Sequence, residues 1–201
     1  MKKKHLEMLL EQLSGFKSPK PEREQYATPA TVAAELLHFA FMRGDLIDTI
    51  YDLGCGAGVL AIGAKFLGAE KVIGFDDDRD VLETARANAK RLNADVEFVC
   101  SRIEEVCGKA HTVVMNPPFG AQVKGSDRPF LRKALEVSGV VYSIHNIGSM
   151  EFIKKFISPS VITEHKLIDF PIKRTFRFHT REMQVIKVEI YRIEKRERDS
   201  Y

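Results

Sequence analysis

Tryptophan is absent from the 201 residues, and the three cysteines, Cys55, Cys100 and Cys107, form no CxxC pair and no Cys/His ligand spacing. A disulfide framework and a zinc knuckle are therefore excluded, no metal is expected, and reduced cytosol is the expected setting. Long apolar runs are also lacking. None approaches the ~20 residues of a membrane span, and the apolar positions near the N-terminus (Leu6, Leu9, Leu10, Leu13) are interrupted by Glu7, Glu11 and Gln12, unlike the core of a signal peptide. A soluble, cytoplasmic chain without membrane contact is expected. Charge of one sign is scarce too: 31 Lys+Arg against 28 Asp+Glu leave a net +3, which names no partner until it is located. With 13 Gly and 8 Pro the composition is neither collagenous nor disordered, and the length suits one domain with a full core.

The pattern along the chain then becomes informative. Residues 5–14 read as a short amphipathic helix and 15–25 as a polar, proline-containing surface stretch. Thr28-Pro29 reads as a capping hydroxyl before a proline in the first helical turn, and Val32, Leu36, Leu37, Phe39 and Ala40 continue an apolar face. From residue 49 the pattern alternates: strands at 49–53, 71–75, 95–100 and 112–115, helices at 59–67 and 79–92. Such alternation predicts an α/β fold with a mostly parallel sheet covered by helices on both faces. Further on, helix 128–137, strand 140–143, helix 150–156 and two final strands, 161–170 and 184–193, are predicted. We divide this single domain into a helical extension, 1–45, a core, 46–193, and a charged tail, 194–201.

The segment Asp52-Leu53-Gly54-Cys55-Gly56-Ala57-Gly58-Val59 leaves a strand and opens a helix. Glycines there permit a tight turn and close approach of a ligand to the backbone. A dinucleotide fingerprint needs glycine where Val59 stands, which argues against NAD. The next strand ends in Phe75-Asp76-Asp77-Asp78, where an acid can accept hydrogen bonds from ribose hydroxyls. Asp78 is expected to cap the following helix. An adenosine-containing cofactor at the carboxyl ends of the strands is the expectation; the alternative is a glycine-rich turn followed by solvated acids.

After the fourth strand comes Asn116-Pro117-Pro118-Phe119-Gly120. Read alone, it is as well explained by a proline-stiffened turn with one buried aromatic. Beside a cofactor loop it resembles the (Asn/Asp/Ser)-Pro-Pro-(Tyr/Phe/Trp) motif of methyltransferases that act on planar amide or exocyclic amine nitrogens, and the resemblance implies such a substrate. The lone pair of an exocyclic amine is delocalised into its ring. An acceptor on Asn116, with the Pro117 carbonyl, can hold both N–H donors and favour a pyramidal nitrogen as the transition state is approached. Pro118 brings no competing N–H and fixes the direction of that carbonyl, and Phe119 would stack on the base, worth roughly 1 to 3 kcal/mol.

Asp52 to Gly58 resembles the first motif of class I S-adenosylmethionine-dependent methyltransferases, and Asn116 to Phe119 resembles the motif of those that modify amide or exocyclic amine nitrogens. The resemblance implies a Rossmann-like fold with an antiparallel C-terminal strand pair. It also implies S-adenosylmethionine as cofactor, Asp76 on its ribose, and Arg102 and Ile103 beside its adenine, where the family often has Asp. Past Phe119 lies a loop with Gly120, Lys124 and Gly125, followed by Arg128. Later, Lys173-Arg174-Thr175-Phe176-Arg177-Phe178-His179-Thr180-Arg181 concentrates the positive charge among aromatics, a pattern suited to unpaired nucleotides. Lys124, Arg128, Lys173, Arg174, Arg177, Phe178, His179 and Arg181 are the expected RNA contacts; a solvated hairpin is the alternative.

Gln25-Tyr26-Ala27-Thr28-Pro29, the Asn-Pro-Pro-Phe-Gly motif, Tyr142-Ser143-Ile144-His145 and Phe178-His179 together resemble the methyltransferase-like protein five family, over about residues 20 to 193. This implies adenine-N6 methylation of small-subunit ribosomal RNA. It further implies that Gln25 and Thr28 line the cofactor site with Gly54, Gly56, Ala57, Gly58 and Val59, and that a small zinc-binding activator protein can be a partner. His145 reads more simply as a satisfied core histidine. The rival readings are a protein glutamine N5-methyltransferase, a DNA adenine methyltransferase and a ribosome-assembly factor that binds cofactor without turnover.

Overall fold

The computed structural model describes residues 1–15, 27–119, 125–173 and 183–196. Five strands lie parallel: β1 (Thr49–Leu53), β2 (Lys71–Asp76), β3 (Glu97–Cys100), β4 (Ala110–Met115) and β5 (Ser138–Asn146). The C-terminal strands β6 (Val161–Lys173) and β7 (Met183–Glu194) pair antiparallel, with β7 inserted beside β5, so the sheet order is β3-β2-β1-β4-β5-β7-β6. Helices α1 (Lys3–Leu10), α2 (Ala30–Met42), α3 (Val59–Phe66), α4 (Arg79–Arg91), α5 (Arg128–Val137) and α6 (Met150–Ile157) cover the two faces. Because strand side chains alternate, Ile50 and Val114 enter the core beneath α1 to α4. Tyr51, Val113 and Met115 enter the opposite core beneath α5 and α6. Burial on both faces explains why the central strands read as continuous apolar runs.

The predicted fold class agrees with this architecture, and the differences are local. β5 runs from Ser138 to Asn146 rather than 140–143, because β4 and β7 supply ladder partners on both sides of it. Pro29 stands outside α2 as its N-cap, and Thr28 makes no capping bond; its hydroxyl instead accepts from Asn116 Nδ2 at 3.0 Å. Asp78 caps α4 as expected, accepting from the Asp80 N–H at 3.1 Å.

This strand order positions the site. From β1 the chain moves outward through β2 and β3, then returns to the other side of β1 as β4. Connections therefore leave β1 and β4 in opposite directions and open a crevice at their carboxyl ends, where open α/β sheets bind ligands. Leu53 and Met115 are register partners, so the glycine loop and Asn116 emerge side by side.

Candidate active site

The loop after β1 is held from several directions. The N–H groups of Gly54 and Cys55 both donate to the Phe75 carbonyl, at 2.8 and 2.9 Å. Gly58, the residue before α3, has φ +85°, and a Cβ there would lie 2.9 Å from Phe98 Cζ. Neither the backbone conformation nor the space admits a side chain. Cys55 is buried, and burial pushes its thiol well up, so it packs rather than reacts.

Asp76 does more than the sequence suggested. Its Oδ2 accepts from the Gly56 N–H at 2.9 Å and its Oδ1 from the Asp78 N–H at 3.0 Å, so it staples the glycine loop to the end of β2. An ionised carboxylate has about four acceptor sites, leaving capacity for ribose hydroxyls. Burial raises its pKa, against the opposing effect of those two N–H groups. The Ser101 N–H donates to the Asp76 carbonyl at 3.0 Å, which brings the following turn alongside. There Ile103 packs on the second core, while the Arg102 side chain is exposed, 3.9 Å from Glu104.

Two side-chain oxygens at this end of the sheet stand out. Asp52 is 1% exposed; its Oδ2 accepts from the Ala61 N–H at 2.9 Å, but its Oδ1 is buried without a partner. Burial, reinforced by the charge of Asp76 and only partly offset by the Ala61 N–H, pushes this carboxyl up to about 8. Asn116 Oδ1 is the other orphan. Asn116 Nδ2 is committed to Thr28, which leaves the amide with its acceptor unused. A buried polar atom without a partner costs roughly 1 to 3 kcal/mol, and such atoms mark places where a ligand completes the network.

The rest of the second motif is anchored. Pro117 is buried. The Pro118 carbonyl accepts from Ser126 Oγ at 3.5 Å and the Phe119 carbonyl from Asn146 Nδ2 at 3.4 Å. The Phe119 ring meets Phe170 of β6 edge to face, with centroids 5.8 Å apart. His145 is 3% exposed, with Nε2 2.7 Å from Ser143 Oγ and Nδ1 3.6 Å from Asp127 Oδ2. In outline this is a Ser/His/Asp relay, but Ser143 is completely buried and no substrate reaches it. The group ties the start of α5 to β5, as a satisfied core histidine would, and burial lowers the imidazole pKa.

Of the expected cofactor residues, Asp52, Gly54, Gly56, Ala57, Gly58, Val59, Asp76, Arg102, Ile103, Thr28 and Asn116 follow the carboxyl ends of β1 to β4 or touch residues that do. Gln25 lies outside the described residues, as do Lys124, Arg174, Arg177, Phe178, His179 and Arg181, and the side chain of Lys173. Arg128 opens α5. One positioning residue was missed: Asn88 donates through Nδ2 to the Ala57 carbonyl at 3.0 Å and to the Ser14 carbonyl at 2.9 Å, joining the N-terminal extension to the glycine loop. Its signal was present in the sequence, an amide seven residues after Val81 on the apolar stripe of α4.

A sheet of this order, with a glycine turn after β1, an acid after β2 and Asn-Pro-Pro-Phe after β4, defines a class I methyltransferase. Residues 32–137 match the model of the family "Methyltransferase small domain". The rRNA N(6)-adenosine-methyltransferase METTL5 of Danio rerio is 36% identical, over 96% of this chain and 98% of its own length. An uncharacterized protein of Methanocaldococcus jannaschii is 42% identical over 97% of this chain and 95% of its own. Among solved structures, a Pyrococcus horikoshii protein provisionally described as an RNA methyltransferase superposes with a TM-score of 0.91 at 40% identity, covering 97% of this chain and 98% of that one. The chain belongs to the methyltransferase small domain family and, within it, to the METTL5 group.

The methyl donor is accordingly S-adenosylmethionine. The residues present fit it: a buried acceptor at Asp52 suits the ammonium of its methionine part, Asp76 keeps acceptor capacity for a ribose, and the glycine loop leaves room for close approach. No helix among the described residues is long and apolar enough to cross a membrane.

Proposed function

We propose that this chain methylates the N6 amine of an unpaired adenosine in small-subunit ribosomal RNA, acting in the cytoplasm. The observation that carries this reading is the orphaned Asn116 Oδ1, an acceptor already oriented by Thr28 and waiting for a donor. When bound, the cofactor supplies an electrophilic methyl on a sulfonium. Asn116 Oδ1 and the Pro117 carbonyl accept the two N–H groups of the amine, and Phe119 stacks on the base. These fixed dipoles favour the nitrogen as it becomes pyramidal and positive, at no cost of reorganisation. No base is needed beforehand, because the methylated nitrogen loses its proton readily to water; rate then depends on alignment. Taking the adenine out of a stack is cheapest in single-stranded RNA. Lys173, Arg174, Arg177, Phe178, His179 and Arg181, with Lys124 and Arg128, would hold the surrounding strand, and a small zinc-binding activator protein would be a partner.

Support comes from the METTL5 relatives, which are named rRNA N(6)-adenosine-methyltransferases. Tritiated methyl transfer to small-subunit RNA, followed by nucleoside digestion, should give N6-methyladenosine. Label appearing in a protein glutamine instead, or no label on RNA with folded protein and its partners present, overturns the reading.

A further inference from the structure

Beyond the catalytic crevice, one exposed surface combines an aromatic ring, an uncommitted cation and direct connection to the catalytic segment. Phe152, in the first turn of α6, is 40% exposed and stacks on Phe156, with centroids 5.8 Å apart and planes at 25°. Arg128, the first residue of α5, lays its guanidinium over that ring, 4.9 Å from the centroid. Its other neighbour is the loop that follows the second motif: a Cβ on Gly125, where φ is +84°, would lie 2.9 Å from Arg128 Nε and 3.1 Å from Cζ. Only glycine leaves the guanidinium this bed. Among the described residues no carboxylate pairs with Arg128, so its N–H groups remain available.

The neighbouring residues extend the pattern. Ile147, 59% exposed, follows Asn146, whose side chain reaches the Phe119 carbonyl. Lys155 is exposed on α6 and has no carboxylate partner among the described residues, whereas Lys154 is paired with Glu151. An apolar surface rimmed by unpaired cations favours a ligand with flat bases and anionic linkers. Asn146 reaches the Phe119 carbonyl, and Phe130, two residues after Arg128, would meet a Cβ on Gly54 at 3.0 Å, so the surface adjoins the crevice.

We propose that Arg128, Phe152 and Ile147 form a docking point for the RNA segment flanking the target adenine. Arg128 takes a backbone phosphate, held flat by Phe152 and Gly125, and the exposed parts of Phe152 and Ile147 take a neighbouring unstacked base. This rests on the RNA reading above and adds the side from which the strand enters. The strand is gripped one step from the chemistry.

Steady-state kinetics with a small-subunit RNA transcript test it, using the full chain and tritiated S-adenosylmethionine. Phe152→Ala should raise KM for RNA about tenfold, the scale expected on removing one stacking ring, with kcat and cofactor affinity held within about twofold. Phe152→Trp should restore KM. Arg128→Gln should raise KM and reduce the salt slope by about one phosphate contact. An unchanged KM in Phe152→Ala, with wild type active on RNA, overturns the docking point and leaves the RNA reading standing. A fall in kcat at constant KM makes the ring a brace for the catalytic segment and also overturns it. Failure of the wild type itself to label RNA removes the RNA reading and this proposal with it.

Discussion

Two buried polar clusters, toward opposite ends of the strands, are built on opposite rules. Toward the amino ends, Asp45 is saturated: Oδ2 accepts from Tyr142 Oη at 2.5 Å and Arg192 Nε at 2.8 Å, Oδ1 from Arg192 Nη2 at 3.3 Å, and its carbonyl from Thr112 Oγ1 at 2.7 Å. Arg192 also reaches Thr163 at 2.8 Å and Glu194. At the carboxyl ends, Asp52 Oδ1 and Asn116 Oδ1 are buried without partners. Enclosed polar groups thus have two uses. The first cluster joins the segment before β1 to β4, β5 and β7 with nothing left to bind. The second withholds hydrogen bonds from the fold so that a ligand can supply them, a local sacrifice of stability seen at functional sites.

Breaking the saturated cluster should have the largest effect. In Asp45→Ala the guanidinium of Arg192, which hydrogen bonding to Asp45 stabilises in its charged form, keeps its burial and loses its main partner. Removing one member of a buried ion pair costs about 3–5 kcal/mol, read as a fall in urea midpoint at unchanged m-value. A loss below about 1 kcal/mol would show that the cluster is not what joins these strands.

The counterpart at the other end is Asn116→Ala. It removes an acceptor that the fold does not use together with the one bond to Thr28, so stability should fall by no more than about 1 kcal/mol while kcat falls about 10²–10³-fold, the usual consequence of deleting one such stabilising group. Affinity for S-adenosylmethionine, measured by calorimetry, should stay within a few fold. Equal losses of cofactor affinity and turnover would make Asn116 structural and erase the contrast.

The two ends also differed in how far the sequence disclosed them. Asp52, the glycines, Asp76 and Asn116 to Phe119 were readable because their chemistry is compressed into short segments at strand ends, where few residue types satisfy a tight turn or a fixed acceptor. The bonds among Asp45, Tyr142 and Arg192 were not, since these residues meet across 97 and 147 residues of sequence; Asp45 and Arg192 look ordinary in their segments, and Tyr142 was noted only within a resembling motif. Thr28 falls between. Its place before Pro29 suggested a helix cap by local logic, but a tertiary partner, Asn116, took the hydroxyl. Asp76 was assigned to the cofactor, yet its bonds to Gly56 and Asp78 are made within the fold. Alternation up to β5 implied a mostly parallel sheet; the order of its strands, and the insertion of β7 between β5 and β6, are non-local pairings that no short pattern encodes.

Asp52 sharpens the comparison through pH. Its folded-state pKa, about 8, lies above its ordinary value of 3.8. The folded cofactor-free protein therefore holds a proton that the unfolded chain releases, and stability should fall as pH rises from about 4 to about 8. Asp52→Asn lacks that titration, so its advantage in thermal midpoint over wild type should widen across this window and then level off. Midpoint-against-pH curves that run parallel for the two proteins would place the carboxyl in a more polar environment than its burial implies.

The smallest effect is expected at Thr28, and it tests what separates an oriented acceptor from a loose one. The hydroxyl makes no helix cap, so Thr28→Val should leave α2 and the thermal midpoint nearly unchanged. What it removes is the bond that engages Asn116 Nδ2 and leaves Oδ1 as the unpartnered end of the amide. Without that bond the amide can rotate and present its donor group to the incoming amine, an arrangement in which donor meets donor. A loss of about one hydrogen bond, roughly 1 kcal/mol, corresponds to a several-fold fall in kcat. Thr28→Ser keeps the hydroxyl and should retain wild-type turnover. If the serine variant falls while the valine variant keeps its turnover, it is the methyl packing of Thr28 and not its hydroxyl that supports Asn116, and the acceptor at the carboxyl end is oriented by the backbone turn alone.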